Sequence, residues 1–501
     1  MAELKNQQKN IRVWTQNNEL VEKAVLVGEE HDAILTEYGA NEFALDFLRR
    51  SRLWEQLLVK PKGWKSNGLD WQKLGGIAIL TELLHVGHLA QADKVIKDAK
   101  LMRELGFTFS ETEEAQAAGK GVIHRDSLRN YFKRIPKEQS IKELYGFVNF
   151  MREKKWVRGR TYVADGLEIE VYGKNYEGIG KVWDDKEKRW KHGYKAVLLM
   201  NVEEDRERLM GIAIGPINTD ERELLLQIFK DLEKYVDKIK NIMDVIILDR
   251  GYWGYDFLEE TIVKGYGIDY VIIAKKSFLF VKEDLRHMID SRQIEFQERQ
   301  LYNRSKKEQE TVKVAFVKDL MHGYKNKEQP YLGLVNVVVM KYMEGKEEKE
   351  VFYVTNKNVA KNPLKIVQLY GSRWTIENQG NRELSHKWLI RIPAGRSLNA
   401  LFARICLILK LYNAMKIMEM KHGKEWQENK EEIKAWGERS FIAGHGLVVY
   451  ARESFAIMSP RRYGQLVETR AREVTIEELR EKAKEYLPPD KLEELFQKLK
   501  R

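Results

Sequence analysis

Three carboxylates stand where their neighbours suit them to chemistry. Asp165 follows the apolar run TYVA and precedes Gly166; Asp249 follows VIIL and precedes Arg250-Gly251. Glu377 lies in YGSRWTIENQGNRELSHKW, residues 370–388. Tyr370, Arg373 and Glu377 recur at helical spacing, so one face of one helix would carry all three. Carboxylates at strand ends face a cleft while the buried strands hold their backbones rigid. Converging carboxylates repel one another and raise their own pKa values unless a cation lies between them. Mg²⁺ meets that need, because it takes few protein oxygens, keeps waters and shares its shell with substrate phosphates. Two such ions roughly 3.5–4 Å apart activate a water or a 3′-hydroxyl and stabilise the leaving oxygen of an in-line displacement. Each acid alone has an ordinary reading, as a turn former or cap for the aspartates and as an i,i+4 partner of Arg373 for Glu377. The combination is more specific than its parts.

The elements that would position these acids read as follows. Residues 1–155 carry apolar residues at three- and four-residue spacing, in NEFALDFLRRSRLWEQLLV and in a longer run closed by Gly106. GVIHRDSLRNYFKRI offers a turn, a cap at Asp126 and a basic helix bearing Arg129 and Lys133, which suits either the second helix of a helix-turn-helix or a bundle surface. From about 158 the pattern turns to strands: GRTYVADGLEIEVYG, HGYKAVLLMNV and RLMGIAIGPI. Asp220 and Glu223 then form a capping-box pattern ahead of an amphipathic helix. IMDVIILDRGYWG reads as a strand, GYDFLEETIVKG as a helix and GIDYVIIAKK as a strand. That order, β-β-β-α-β-α-β, is the order of a ribonuclease H-like core: α/β, a mixed five-stranded sheet with flanking helices.

The expected domains are a helical N-terminal DNA-binding region over 1–155 and the first part of the core over 156–276. A β-strand insertion subdomain, with a hairpin turn at Glu344-Gly345, covers 277–363. The second part of the core covers 364–422 and a helical C-terminal region 423–501, with two charged helices around Pro488-Pro489. These tail helices would either pair two subunits or cap the fold.

Composition adds bounds. The net charge is +11 over 501 residues, compatible with a polyanionic partner. A single cysteine, Cys406, excludes an internal disulfide framework and a cysteine-rich zinc site, and fits a reducing cytosol. The first residues, MAELKNQQKNIRVW, lack the apolar core of a signal peptide. The most apolar stretch, LFARICLILKLYNAMKIM, is interrupted by Arg404, Lys410 and Lys416, so a buried helix is expected rather than a membrane span.

With these residues in place, the sequence resembles the DDE transposases of bacterial insertion sequences, specifically the insertion sequence 4 superfamily. That family's last motif runs Tyr, two residues, Arg, three residues, Glu, six residues, Lys; Tyr370, Arg373 and Glu377 match it. LDRGYWG looks like the second-aspartate motif and VADGLEIEVYG…HGYKAVLL like the first, over roughly residues 158–420. The resemblance implies that Asp165, Asp249 and Glu377 are both catalytic and metal-binding, with two Mg²⁺ ions that Mn²⁺ can replace. It also implies an endonuclease that cuts at terminal inverted repeats and joins the 3′-hydroxyl to target DNA. One position departs: Leu384 stands where the family has lysine, and NRELSHKW looks like the family segment displaced by one residue, which brings Ser385 to that place. Arg382, His386 and Lys387 are the nearby substitutes, Lys387 preferred. The expected DNA contacts are Tyr370, Arg373, Arg250, Lys387, Arg382, Arg129 and Lys133.

The expected partner is double-stranded DNA, both transposon ends and target, bound by a homodimer. No membrane is involved, and the expected location is the cytoplasm, on the nucleoid. Some enzymes of the resembled family flip a base onto an aromatic, and for that role Trp253, Tyr324 or another tyrosine is available; Trp374 and Trp388 are expected in the core. The competing readings are a domesticated DNA-binding protein without transposition activity and a ribonuclease H-like nuclease without strand transfer.

Overall fold

Val, Ile and Leu dominate the runs around the two aspartates, and these runs pair into one sheet. The computed structural model describes residues 15–36, 39–64, 69–84, 86, 88–202, 207–254, 256–274, 279–303, 308–322, 333–423, 446–458 and 460–473. It divides into two compact units, residues 56–420 and residues 1–55 with 421–501.

The larger unit is built on a ten-stranded mixed sheet. Its strands are β1 (Thr161–Glu170), β2 (Gly180–Asp184), β3 (Arg189–Asn201), β4 (Arg208–Pro216), β5 (Val245–Leu248), β6 (Asp269–Ile273), β7 (Gln297–Asn303), β8 (Glu308–His322), β9 (Gly333–Glu344) and β10 (Glu347–Thr355). Strands β4, β3, β1, β5 and β6 lie side by side in that order. The β4–β3 and β3–β1 pairs are antiparallel, and the β1–β5 and β5–β6 pairs are parallel. Strand β5 is buried throughout, as befits a short parallel strand covered on both faces. The inserted strands do not form a separate sheet. β10 pairs antiparallel with β6 through Tyr353↔Ile273, and β9, β8 and β7 follow outward.

Helices cover this sheet. Asp220 caps the Glu221–Tyr235 helix by accepting from the Arg222 amide at 2.8 Å, so the cap forms there without the capping box to Glu223. The Lys137–Glu153 helix packs on that helix. The Leu398–Lys421 helix buries most of its side chains, Arg404 and Lys410 included. Among the described residues no helix is long and apolar enough to cross a membrane.

Several sequence expectations change. Residues 56–155 fall in the same compact unit as the sheet. The long helical run breaks after Trp71–Leu83 and resumes as short helices at Asp93–Ile96 and Ala99–Glu104. His124, not Asp126, caps the Arg125–Arg134 helix, and Asp126 instead pairs with Arg129 at 2.6 Å. Strand β2 was not expected, because its apolar residue Trp183 faces outward.

In the smaller unit, the region expected to be helical from 423 carries an antiparallel pair, Gly446–Ala451 with Ser454–Met458. The first of these also pairs with Asp32–Thr36. The Asn18–Val27 helix packs Val21, Ala24 and Val25 against Val449, Ala456 and Met458. Tyr324 and the expected helices around Pro488-Pro489 lie outside the described residues.

Candidate active site

Parallel pairing places the two aspartates. Ala164 is the partner of Leu248 in the β1–β5 register, so Asp165 and Asp249 come one step later on neighbouring strands. Side chains at matched positions of adjacent strands point to one face, about 4.8 Å apart at the backbone. Asp249 then opens a tight 3₁₀ turn, Arg250–Tyr252, in which the Tyr252 amide donates to the Asp249 carbonyl at 3.0 Å.

The third carboxylate arrives on helix. The Pro363–Gly371 helix continues through Arg373–Thr375 into a wide π-type turn over Ile376–Arg382, which lies against β1. Gly380 permits the close approach: a Cβ there would meet Met200 of β3 at 3.1 Å and Ile376 at 3.0 Å. Arg373 Nη1 donates to Glu377 Oε1 at 2.5 Å, and the Arg373 guanidinium lies 5.5 Å from the Tyr370 ring centre. The face drawn from spacing alone is thus formed. Arg373 also interacts electrostatically with Asp165 and Asp249.

Two residues outside the sequence expectations contact the Asp165–Gly166 segment. Asn381 Nδ2 donates to Asp165 Oδ2 at 2.7 Å, while Asp165 Oδ1 accepts from the Gly166 amide at 3.0 Å. Glu221 sits against Gly166, where a Cβ would come within 2.5 Å of its Oε1, and it pairs with Lys195 at 3.5 Å. No local pattern of the sequence marks either residue; both are selected by long-range contact. Burial pushes the Asp165 carboxyl up to about 7; Arg373 opposes that rise, and Glu377 and Glu221 add to it. Burial also raises the Tyr370 phenol, to about 12.

The remaining expected residues are distributed as follows. Tyr370 is buried with its ring edge-on to Tyr353, at 5.5 Å between centres, so its ring has no open face for a base. Arg250, Arg382 and Lys387 are exposed, as are Arg129 and Lys133 on the Arg125–Arg134 helix. Leu384, seven residues after Glu377, is fully buried. Ser385 is half-buried, and its hydroxyl has no hydrogen-bond partner among the described residues. Trp388 is in the core as expected, whereas Trp374 is 45% exposed beside Arg373. Trp253 is buried.

An all-oxygen set of carboxylates from two strands and a facing helix suits a hard divalent cation. The amide oxygen of Asn381, buried beside Asp165 without a partner, suits the edge of a hydrated ion. Among the described residues, however, no group of three or more His, Cys, Asp and Glu side chains is gathered closely enough to hold a metal. Arg373 supplies the positive charge instead.

No curated protein sequence matches this chain. Among solved structures it is similar to a cryo-EM structure of the piggyBac transposase synaptic complex with hairpin DNA. That alignment has 11% identity over 91% of this chain and 88% of that one, at a TM-score of 0.37. The model of the transposase DDE domain matches residues 157–414, more than half of the 501-residue chain and the whole span from Asp165 to Glu377. The chain belongs to the family of transposases that carry a DDE domain.

Proposed function

We propose that this chain is a cut-and-paste DNA transposase of the insertion sequence 4 superfamily. It cleaves at terminal inverted repeats and joins the freed 3′-hydroxyl to target DNA. The observation that carries this is the juxtaposition of Asp165 and Asp249 on neighbouring parallel strands with Glu377, through Arg373, facing them. The strand order β4-β3-β1-β5-β6, antiparallel then parallel, supports a ribonuclease H-like core. The wide turn at 376–382 supports the displaced family motif. A π-type turn accommodates one extra residue, so the segment from Asn381 onward is shifted by one relative to Tyr370–Glu377.

Asp165, Asp249 and Glu377 are not gathered as a metal site in this arrangement; in the proposed enzyme they would be the residues to hold Mg²⁺, which when bound supplies an activated nucleophile and stabilises the leaving oxygen. The chain's own residues do the rest. β1 and β5 fix the aspartate backbones, and Asn381 orients the Asp165 carboxylate. Arg373, whose Nε has no hydrogen-bond partner among the described residues, would offer its two-pronged donor edge to a phosphate. Arg250 and Lys387 extend that phosphate grip, and the proposed assembly is a homodimer on two DNA ends.

The test is DNA bearing the element's own terminal repeats, with Mg²⁺. Asp165→Asn, Asp249→Asn and Glu377→Gln are each expected to lower cutting by about a thousandfold or more while the gel shift persists. Variants that cut like wild type would overturn the assignment. The buried Leu384 favours a second reading, a DNA-binding protein that shifts these ends and never nicks them; the same gels with and without Mg²⁺ separate the two.

A further inference from the structure

The β2–β3 ribbon carries an aromatic pair with no role in the core. Trp183 and Trp190 are direct cross-strand partners, with ring centres 5.6 Å apart at an interplanar angle of 70°. They are 43% and 51% exposed. A cross-strand indole pair steadies a two-stranded ribbon, but that does not require both rings to keep an open face in water.

The charges around the pair are sorted by face. With a period of two, Lys181 and His192 share the tryptophan face, and the Lys181 ammonium lies 4.9 Å from the Trp190 ring centre. Two acids of the turn are occupied elsewhere, Asp184 with Lys191 and Glu187 with Arg189 at 2.6 Å, while Asp185 accepts from Trp183 Nε1 at 3.1 Å. The face is thus aromatic, with Lys181 and His192 on it and the Asp185 carboxylate at the Trp183 N–H edge.

The ribbon is rooted near the carboxylates. Gly193 is the partner of Glu170 on β1 and of Gly180 on β2. Just before β2, the Glu177 amide donates to the Arg396 carbonyl at 2.9 Å, and its carboxylate accepts from the Leu398 amide at 3.0 Å. Residues 396–398 follow the helical segment that bears Glu377. Counted along the ladder from Asp165 to Glu170 and on to Trp190, the indoles stand roughly 26 Å from Asp165. That is about eight base pairs of duplex.

We propose that this ribbon is a second DNA-binding element, whose indole pair stacks an unpaired nucleobase of the DNA flank while Lys181 meets the adjoining phosphate. The proposal deepens the transposase reading and rests on it.

The test compares two fluorescein-labelled probes of random sequence, a blunt duplex and the same duplex with a single-stranded 3′ tail. Binding to the full chain is followed by anisotropy in chelator, so that nothing is cut. Wild type is expected to prefer the tailed probe. W183A/W190A is expected to weaken tailed binding about tenfold with little change on blunt duplex, and W183F/W190F, which keeps two stacking faces, to restore most of it. Equal binding of the alanine variant and wild type to the tailed probe, or no preference by wild type, would overturn the proposal. So would a phenylalanine variant as weak as alanine, or a loss of self-association on sedimentation with DNA affinity intact. In each of those cases wild-type cutting of transposon ends still supports the transposase reading; failure to bind or cut any DNA removes both.

Discussion

Arg404 and Arg373 each meet a glutamate, yet the two pairs sit in opposite circumstances. The Arg404 and Glu82 side chains are 1% and 2% exposed and joined twice, Nε to Oε1 at 2.7 Å and Nη2 to Oε2 at 2.9 Å. The third guanidinium nitrogen donates to the carbonyls of Leu389 and Ile392, so every edge of the arginine is used. Arg373 and Glu377 are 19% and 42% exposed and joined once, and Arg373 Nε has no hydrogen-bond partner among the described residues. A buried ion pair persists when all its donors are satisfied. The Arg404 pair therefore anchors the chain after the Glu377 segment to the Trp71–Leu83 helix, whereas the Arg373 pair is held ready for exchange.

Breaking each pair gives the largest contrast. Glu82→Gln leaves a buried guanidinium without its counter-charge and is expected to cost about 3–5 kcal/mol of stability, read by chemical denaturation. Replacing both partners by Leu and Met should recover most of that loss. Arg373→Gln removes a partly exposed pair and is expected to cost no more than about 1 kcal/mol, while DNA cutting falls. If the two single variants lose equal stability, the distinction between anchor and exchangeable pair is wrong.

The same distinction marks what the sequence could convey. The strands holding Asp165 and Asp249 were legible because parallel central strands are written as apolar runs, and the Tyr370–Arg373–Glu377 face because helical spacing is local. The hairpin at Gly446–Met458 was not. Its two-residue turn is Arg452-Glu453, both in the left-handed region at φ 50° and 58°, without the Asn-Gly signature such turns favour. Strand β2 escaped because its outward tryptophan inverts the usual alternation. Asn381 and Glu221 were invisible for another reason. What selects them is contact with Asp165 and Gly166 across more than fifty residues of sequence, and no local pattern carries that. The wide turn over Ile376–Arg382 was hidden as well, since an ideal helix predicts a different face for every residue after it.

Asn381 sharpens the comparison from the acid side. It is a positioning residue, bonding Asp165 rather than the reacting atoms, and groups of that kind change metal affinity or activity about 10–100-fold when removed. Asn381→Ala is expected to shift the Mg²⁺ concentration for half-maximal cutting upward within that range, with thermal stability little changed. A merely structural asparagine would lower stability and leave the Mg²⁺ dependence where it was, and that result would return Asp165 to the control of Arg373 alone.

A further prediction concerns the proton on Asp165. Its carboxyl is pushed from an ordinary 3.8 to about 7 in the folded chain, chiefly by burial. Below about pH 4 both folded and unfolded chains hold this proton, so it contributes nothing to the pH dependence. Between about pH 4 and about pH 7 the unfolded chain has released it and the folded chain keeps it. The folded state then binds more protons, and stability falls as pH rises through that window. Above about pH 7 both are ionised and the penalty is constant. In chelator, Asp165→Asn should therefore flatten the decline seen for wild type over this window, measured as denaturation midpoints at matched pH. Added Mg²⁺ should flatten it for wild type as well, because a cation favours the ionised carboxylate that burial disfavours. An Asp165→Asn variant that tracks wild type across the window would mean that Arg373 already neutralises the site, leaving no proton for a metal to displace.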